Sequence, residues 1–538
     1  MKRWNGWGDV KTDYPLSNLA KEYLIGILGK GISQADAPLD AVIKSVPASR
    51  LPYHASISID SEDRLRHACG QSLPDWINLR AGRIPSFPDG VIYPDSVKEV
   101  RDTISFAENN NLILIPYGGG TSVLRHFSPP EGDIPVLTID LSQLNQLIDI
   151  SETDQLATIE AGIKGAEIEY QLKKHGYTLG HYPQSFEYST LGGWIATRSC
   201  GQQSYYYGRI EDLFKGGHIE TPKGPLDISP FPASAAGPDL RHLILGSEGR
   251  FGIITSAAVA IKQIPEFEEF FGIFFKDWES GFLAVKEMAQ KDIHLSMMRL
   301  SDAQETETTM ILSGKRNLIR WAGFGLDKFG YRNQRCLLII GVTGSRTQAT
   351  RIRQAAIRIC RKHDGLFTGK FIGNTWRKSR FLASYLRNSL WDSGYALDTL
   401  ETAATWENVQ PVKDKTVNAI VDANHHWNSH VLVFGHLSHV YPIGASIYIT
   451  YLFQRSIDPD ENLARWQEIK HAASLAIISN GGTISHQHGV GHDHASYFAA
   501  EKGQIGMDLL SNIGQFLDPN GLMNPGKMFN SNPEIQSH

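Results

Sequence analysis

The stretch Pro116-Tyr-Gly-Gly-Gly-Thr-Ser-Val123 decides the reading of the fold. It follows Leu112-Ile-Leu-Ile115, an apolar run that predicts a buried strand, and it sets three consecutive glycines ahead of two hydroxyl side chains. Glycines reach positive φ and allow close approach, so successive amide N–H groups can converge into an anion-binding nest. A pyrophosphate suits such a nest. A glycine-rich surface turn is the competing reading, and the flanking sequence decides between them.

Upstream, Val91-Ile-Tyr93 reads as a strand and Ser96 to Asn110 as a helix, so strand, helix, strand and nest form a βαβ unit with an anion site at its end. Downstream, residues 136–139 and 157–161 read as strands, and Gly165 to His175 as an amphipathic helix closed by Gly176. A second unusual stretch then runs from His181 to Gly201, dense in hydroxyls and glycines and with few reasons to be a core. A third, Leu245-Gly-Ser-Glu-Gly-Arg-Phe-Gly-Ile-Ile-Thr255, leads into a strand over 257–261. Three such loops, each beside a strand, favour one extended cofactor groove over three unrelated turns. No Gly-x-Gly-x-x-Gly lies between a strand and a helix, which disfavours a Rossmann site.

The 538 residues predict two or three cores. We divide them into an arm, 1–87, to which no chemistry is given; a cofactor domain, 88–265; an α+β domain, 266–480; and a glycine- and histidine-rich segment, 481–538, closing back onto the cofactor domain. With 52 basic against 57 acidic side chains, a nucleic-acid surface is disfavoured. Cys69, Cys200, Cys336 and Cys360 form no C-x-x-C pair, which suits reduced thiols in a cytosol. No apolar run suits a signal peptide or a membrane span, so a cytoplasmic protein is expected, with peripheral contact at the inner membrane surface if the substrate is a lipid. A homodimer is left open.

On these loops the sequence resembles the FAD-linked oxidase family of the vanillyl-alcohol oxidase type. Within it the sequence is most similar to the alkylglycerone-phosphate synthases, through Trp4-Asn-Gly-Trp-Gly8, the glycine loop, Ser189 to Arg198, Gly246 to Gly249 and Ser485 to Gly491. The resemblance implies an α+β fold: a two-part FAD-binding domain (PCMH type) with an α+β cap domain. It implies that Pro116, Tyr117, Gly118, Gly119, Gly120, Thr121, Ser122 and Val123 hold the FAD pyrophosphate. Gln184, Ser185, Ser189, Thr190, Gly193, Thr197, Arg198, Ser199 and Cys200 would line the nucleotide and ring, and Glu248, Gly249, Gly252, Ile253 and Ile254 would complete the site. Covalent members often carry a histidine in the glycine loop; here there is none, so noncovalent FAD is expected.

A flavin needs protein groups that orient the substrate, neutralise its anions and move protons. Arg299, on a strand face with Leu295 and Met297, is a candidate cation for a phosphate or carboxylate, with a salt bridge to Asp302 as the alternative. Arg387 reads by pattern as a snorkelling arginine near Phe381 and Trp391, and only the resemblance puts it in the site. Tyr448 shares the polar face of a strand with Ser446 and Thr450 and can relay a proton. His486 and His488, pointing away from Gln487, form a candidate proton-handling pair; a metal site drawing on His492 and His494 is the weaker reading, so no metal is expected.

The resemblance implies exchange of the acyl group of acyl-dihydroxyacetone phosphate for a fatty alcohol. The synthases carry three histidines where this chain has His486, Gln487 and His488, and a glutamine cannot take up a proton. An FAD-dependent oxidase or dehydrogenase of a 2-hydroxy acid or polyol phosphate is therefore the alternative, with a small-molecule or lipid-phosphate substrate in either case and no nucleic acid.

Overall fold

The computed structural model describes residues 1–312, 326, 328, 330–427 and 429–529. The first sheet runs β1 (Ile57–Ser58), β2 (Gly90–Ile92), β4 (Val136–Asp140), β3 (Ile113–Tyr117). β4 lies between β2 and β3 and is parallel to both, so the helix Val97–Asn110 is a crossover rather than a direct link between neighbours. Ser96 caps that helix by accepting the Glu99 N–H, and Asn111, in the left-handed region, ends it. β3 carries the chain through Pro116 and Tyr117, two residues beyond the predicted strand end, and delivers the three glycines at its C-terminal edge.

A second, antiparallel sheet follows in the order β5 (Leu147–Ser151), β6 (Leu156–Glu160), β10 (Ile253–Ala260), β8 (Phe214–Thr221), β9 (Gly224–Ile228). A short ladder pairs β7 (Tyr177–Thr178) with β11 (Lys262–Gln263). The hydroxyl-rich stretch departs from expectation. Leu191–Thr197 is a helix capped by Thr190, and Leu191, Trp194 and Ile195 are buried in the core of this half. The hydroxyls and glycines mask an apolar face at helical spacing.

The third sheet is antiparallel and seven-stranded: β15 (Leu366–Phe367), β12 (Phe267–Phe275), β14 (Cys336–Gly344), β13 (Met297–Ser301), β17 (Val431–Tyr441), β18 (Gly444–Gln454), β16 (Tyr395–Thr405). Strand alternation divides its faces. Met298 and Leu300 of β13 and Ile447, Ile449, Tyr451 and Phe453 of β18 enter the largest core, with helices Trp278–Gln290, Arg346–Lys362, Val409–Ala423 and Pro459–Ser479. Met297, Arg299, Tyr448, Thr450 and Leu452 face the opposite way, into a cavity.

Both chain ends are tied to this frame. Trp7 of the arm exchanges backbone hydrogen bonds with the Asn388 amide, 3.0 Å each way. Trp76, in a helix with a Ser72–Asp75 capping box, is wholly buried. At the other end, Leu522 and Asn524 bracket Leu114 of β3 with backbone hydrogen bonds of 2.9 and 2.8 Å. The arm is thus an integral wall, and Asn388→Ala, which leaves the Trp7 N–H and C=O unpaired, is expected to lower the urea midpoint by an amount equivalent to about 2 kcal/mol.

Candidate active site

One cavity of ≈ 610 Å³ lies between the two halves. On its first side, the glycine loop is pressed onto residues 188–190: a Cβ at Gly119 would lie 1.9 Å from the Tyr188 carbonyl oxygen, and one at Gly118 2.4 Å from Thr190 Oγ1. Gly120 has φ +67, a left-handed conformation that suits glycine. Among the described residues, the N–H groups of Gly119, Gly120 and Thr121 donate to no other backbone or side-chain group, so all three remain for a ligand. Lys2 Nζ donates to the Gly119 carbonyl at 2.8 Å, which bolts the arm to this loop.

The facing wall is the polar side of β13, β16, β17 and β18. Arg299 Nη2 lies 2.8 Å from Glu305 Oε1, and His436 Nδ1 lies 2.9 Å from the same oxygen. The Arg299 partner is therefore Glu305; Asp302 instead pairs with Lys413 at 3.2 Å. Burial would raise the Glu305 carboxyl, but Arg299 and His436 outweigh it and hold the group at about 2. The His436 ring stacks on Tyr448 at 5.1 Å, and His488 meets Tyr448 edge-on at 5.9 Å. Burial pushes the Tyr448 phenol above its ordinary range and His488 below its own, so both are neutral near pH 7.

Arg387 is no snorkelling side chain. Its guanidinium lies 4.4 Å from the centre of the Trp76 ring and donates to the Gln71 carbonyl, while Nε and Nη2 are buried without a hydrogen-bond partner. No carboxylate forms an ion pair with it among the described residues, and burial lowers its pKa to about 10, which leaves it charged at neutral pH. A buried cation with two idle donors on a cavity wall has the chemistry to receive an anion.

The C-terminal segment enters this wall through Glu401. The Thr483 and His486 N–H groups donate to the Ala403 and Glu401 carbonyls, at 3.0 and 3.1 Å, along the exposed edge of β16. The Glu401 carboxylate, 1% exposed, accepts from His486 Nδ1 at 3.1 Å, Ser438 Oγ at 2.8 Å and Gln487 Nε2. Burial would raise its pKa, but the His486 hydrogen bond and three imidazoles hold it well below the carboxylate range. Gln487 Oε1 accepts the Cys200 N–H at 3.2 Å, so its amide is clamped at both ends.

Glu401, His439 and His486 bring possible ligand atoms within 4.8 Å. Arg209 Nη1, which can only donate, lies 2.9 Å from His486 Nε2. Nδ1 must then carry the proton that points at Glu401, and the set is satisfied by hydrogen bonds rather than arranged for an ion. His492 is exposed and Asp493 pairs with Arg125 at 2.5 Å, so the histidine run does not converge.

Two family models match this architecture: an FAD binding domain over residues 88–226, and the C-terminal domain of FAD linked oxidases over 264–528. The chain belongs to the FAD-linked oxidase family. It is similar to the alkyldihydroxyacetonephosphate synthase of Dictyostelium discoideum, 28% identical with 98% of this chain and 93% of that protein aligned. The synthase of Caenorhabditis elegans is 29% identical over 96% and 93%. A solved alkyldihydroxyacetonephosphate synthase structure superposes with a TM-score of 0.84 at 25% identity, covering 97% of this chain and 98% of that one.

The cofactor of this FAD-linked oxidase is FAD, and the cradle fits it: three amides left for a pyrophosphate, beside a cavity deep enough to bring a ring to the polar sheet face. Most residues expected to hold the cofactor line the cavity, from Pro116 to Val123 and including Gln184, Ser185, Ser189, Thr190, Gly193, Thr197, Ser199, Cys200, Glu248, Gly249, Gly252 and Ile254. Arg198 and Ile253 do not: Arg198 turns away to an ion pair with Glu211 at 2.8 Å, and Ile253 lies in the core of the first sheet. Arg299, Arg387, Tyr448 and His488 line the cavity; His486 stands behind the wall. The expected opposition of Gln487 to the histidines is also corrected, because Gln487 and His488 share the cavity side.

Sequence reading missed Glu305, His436, Glu401, Trp7 and Gln71. His436, in alternation on a strand, is the one whose pattern offered a signal. Gly119→Ala is expected to yield protein without visible flavin absorbance but with unchanged far-ultraviolet circular dichroism, because the loops must part. Glu305, lowered from 4.5 to about 2, contributes stability above pH 4.5 that disappears as pH falls toward 2. In urea titrations against pH, Glu305→Gln should flatten that part of the curve.

Proposed function

We propose that this FAD-dependent enzyme exchanges the acyl group of acyl-dihydroxyacetone phosphate for a fatty alcohol, with FAD held noncovalently in a cytoplasmic protein. The observation that carries the reading is Arg387: a buried cation with unpaired donors in the cavity that also contains the glycine cradle. A second feature gives the substrate its length. Leu386, Leu390, Leu397, Phe434 and Leu452 pack together and line the same cavity, a wall suited to an alkyl chain and of little use to a small hydroxy acid. The likeness to synthases over nearly the whole chain supports the same reading.

Bound flavin supplies an electron sink and a nucleophilic ring nitrogen. The residues do the rest. Arg387 holds the substrate phosphate or the departing carboxylate through Nε and Nη2. Arg299 shares its charge with Glu305, so it positions a polar group more than it neutralises an anion. His488, neutral because of burial, accepts the proton of the incoming alcohol, the Tyr448 hydroxyl gives its proton to the departing carboxylate, and the proton held by His488 then restores Tyr448. The exchange is redox-neutral: a carboxylic acid leaves and an alcohol oxygen takes its place on the carbon. Gln487 moves no proton; its clamped amide fixes the backbone on which His488 sits.

Labelled hexadecanol is expected to enter a phosphorylated ether product, with fatty acid released in equal amount. Lasting anaerobic bleaching by hydroxy acids, with no incorporation, would replace this reading by the oxidoreductase one. Arg387→Met should lower kcat/KM by roughly 100-fold, with partial recovery in Arg387→Lys. The acid limb of kcat/KM should lie below the ordinary histidine value, since His488 is shifted down, and should disappear in His488→Gln along with most activity.

A further inference from the structure

Residues 346–380 carry ten Lys or Arg against one Asp, a net +9 in a chain whose total is −5. They form helix Arg346–Lys362, β15 and helix Lys370–Ser379 at the edge of the seven-stranded sheet. Arg351, Arg358, Arg361 and Lys362 follow one another at seven, three and one residues and are exposed, which makes a basic stripe along the first helix. Its other side, Ala349, Ala356, Ile359 and Cys360, is buried. Lys362, Lys370 and Arg377 are paired with Glu287, Glu269 and Glu268. Arg351, Arg358, Arg361 and Lys378 have no ion pair among the described residues.

Between the stripe and the second helix lies a cleft of ≈ 660 Å³. Arg353, Arg358, Arg361 and Lys370 stand around it, Phe271 and Phe367 give it an apolar floor, and none of its lining residues is acidic. Helix Lys370–Ser379 connects this cleft to the active-site cavity. Its exposed side presents Lys370, Phe371 (56% exposed), Arg377 and Lys378, whereas Trp376 and Ser379, followed by Arg380, line the cavity. At 1.5 Å per residue the two are about 14 Å apart along the helix axis.

We propose that this face docks the enzyme on an anionic phospholipid bilayer, with the cleft receiving a lipid phosphate headgroup and Phe371 entering the interface. The charge complementarity selects this occupant: a local excess of cations around an apolar-floored cleft matches a surface of phosphates over hydrocarbon. The purpose of the docking rests on the long-chain substrate reading above, since such a chain partitions into a bilayer and must be drawn from it. The charge, the cleft and the adjoining cavity wall do not depend on that reading.

The test is flotation of the full-length FAD-loaded protein with phosphatidylcholine vesicles, with and without phosphatidylglycerol. Binding is expected to the anionic vesicles alone and to fall steeply with added salt. The triple variant R351E/R358E/K378E should lose partitioning by about fivefold or more per charge changed. Reversal of Lys173 and Lys174, exposed on the helix of the FAD half, should change it little. Unchanged flavin absorbance and thermal midpoint establish that the triple variant is folded. Equal binding to neutral vesicles, salt-resistant binding, or undiminished binding of the triple variant would each overturn the proposal. So would tighter retention of the wild type on single-stranded DNA than on anionic vesicles at the same salt. Salt-sensitive anionic binding without alcohol exchange would leave the docking face standing and remove the proposed reaction, whereas exchange without vesicle binding would do the reverse.

Discussion

A buried carboxylate that must find partners is the constraint on which the chemistry of this protein depends. Glu401 lies on β16 inside a wall of apolar strands and cannot remain charged there unless hydrogen-bond donors surround it. Ser438 of β17 provides one, and His486 and Gln487, in a segment about 85 residues further along, provide the others. That demand draws the C-terminal segment against the sheet edge and sets His488 beside Tyr448. Arg209, from the FAD half, completes the network by fixing the His486 tautomer, so the two halves of the molecule are joined through one chain of oriented protons.

The opposite wall obeys a steric rule. At Gly119 the backbone of one loop comes so close to that of another that no side chain fits between them, and the amides of Gly119, Gly120 and Thr121 are left without a protein acceptor among the described residues. A cofactor cradle made of backbone depends little on the side chains around it, apart from the glycines that allow the close approach. The two walls meet in a single cavity, one presenting donors for a pyrophosphate and the other a cation, a phenol and an imidazole.

How legible this was in the sequence follows from the range of each interaction. The glycine loop, its strand and the crossover helix are local features, and their residues carry their own signals. The alternation of Tyr448 with Ile447 and Ile449 was equally readable, and its two faces go to cavity and core. Helix Leu191–Thr197 was hidden because its glycines and threonines disguise three core positions. Alternation along β17 left His436 a signal, but Glu305 and Glu401 could not be read, since each depends on a histidine far along the chain, His436 at 131 positions and His486 at 85. Arg387 illustrates the limit most clearly: helical spacing placed it beside Phe381 and Trp391, whereas the arm supplies Trp76 and Gln71 as its actual neighbours.

The central claim is that one cavity holds the flavin against a wall on which the Arg387 guanidinium keeps two donors without a protein partner. A crystal structure of the FAD-loaded protein with an alkyl-dihydroxyacetone phosphate bound tests it most directly. The account predicts the flavin pyrophosphate on the amides of Gly119, Gly120 and Thr121, an anionic oxygen on Arg387, and the alkyl chain along Leu390, Phe434 and Leu452. A phosphate bound away from Arg387, with that guanidinium turned to a protein carboxylate, would contradict it.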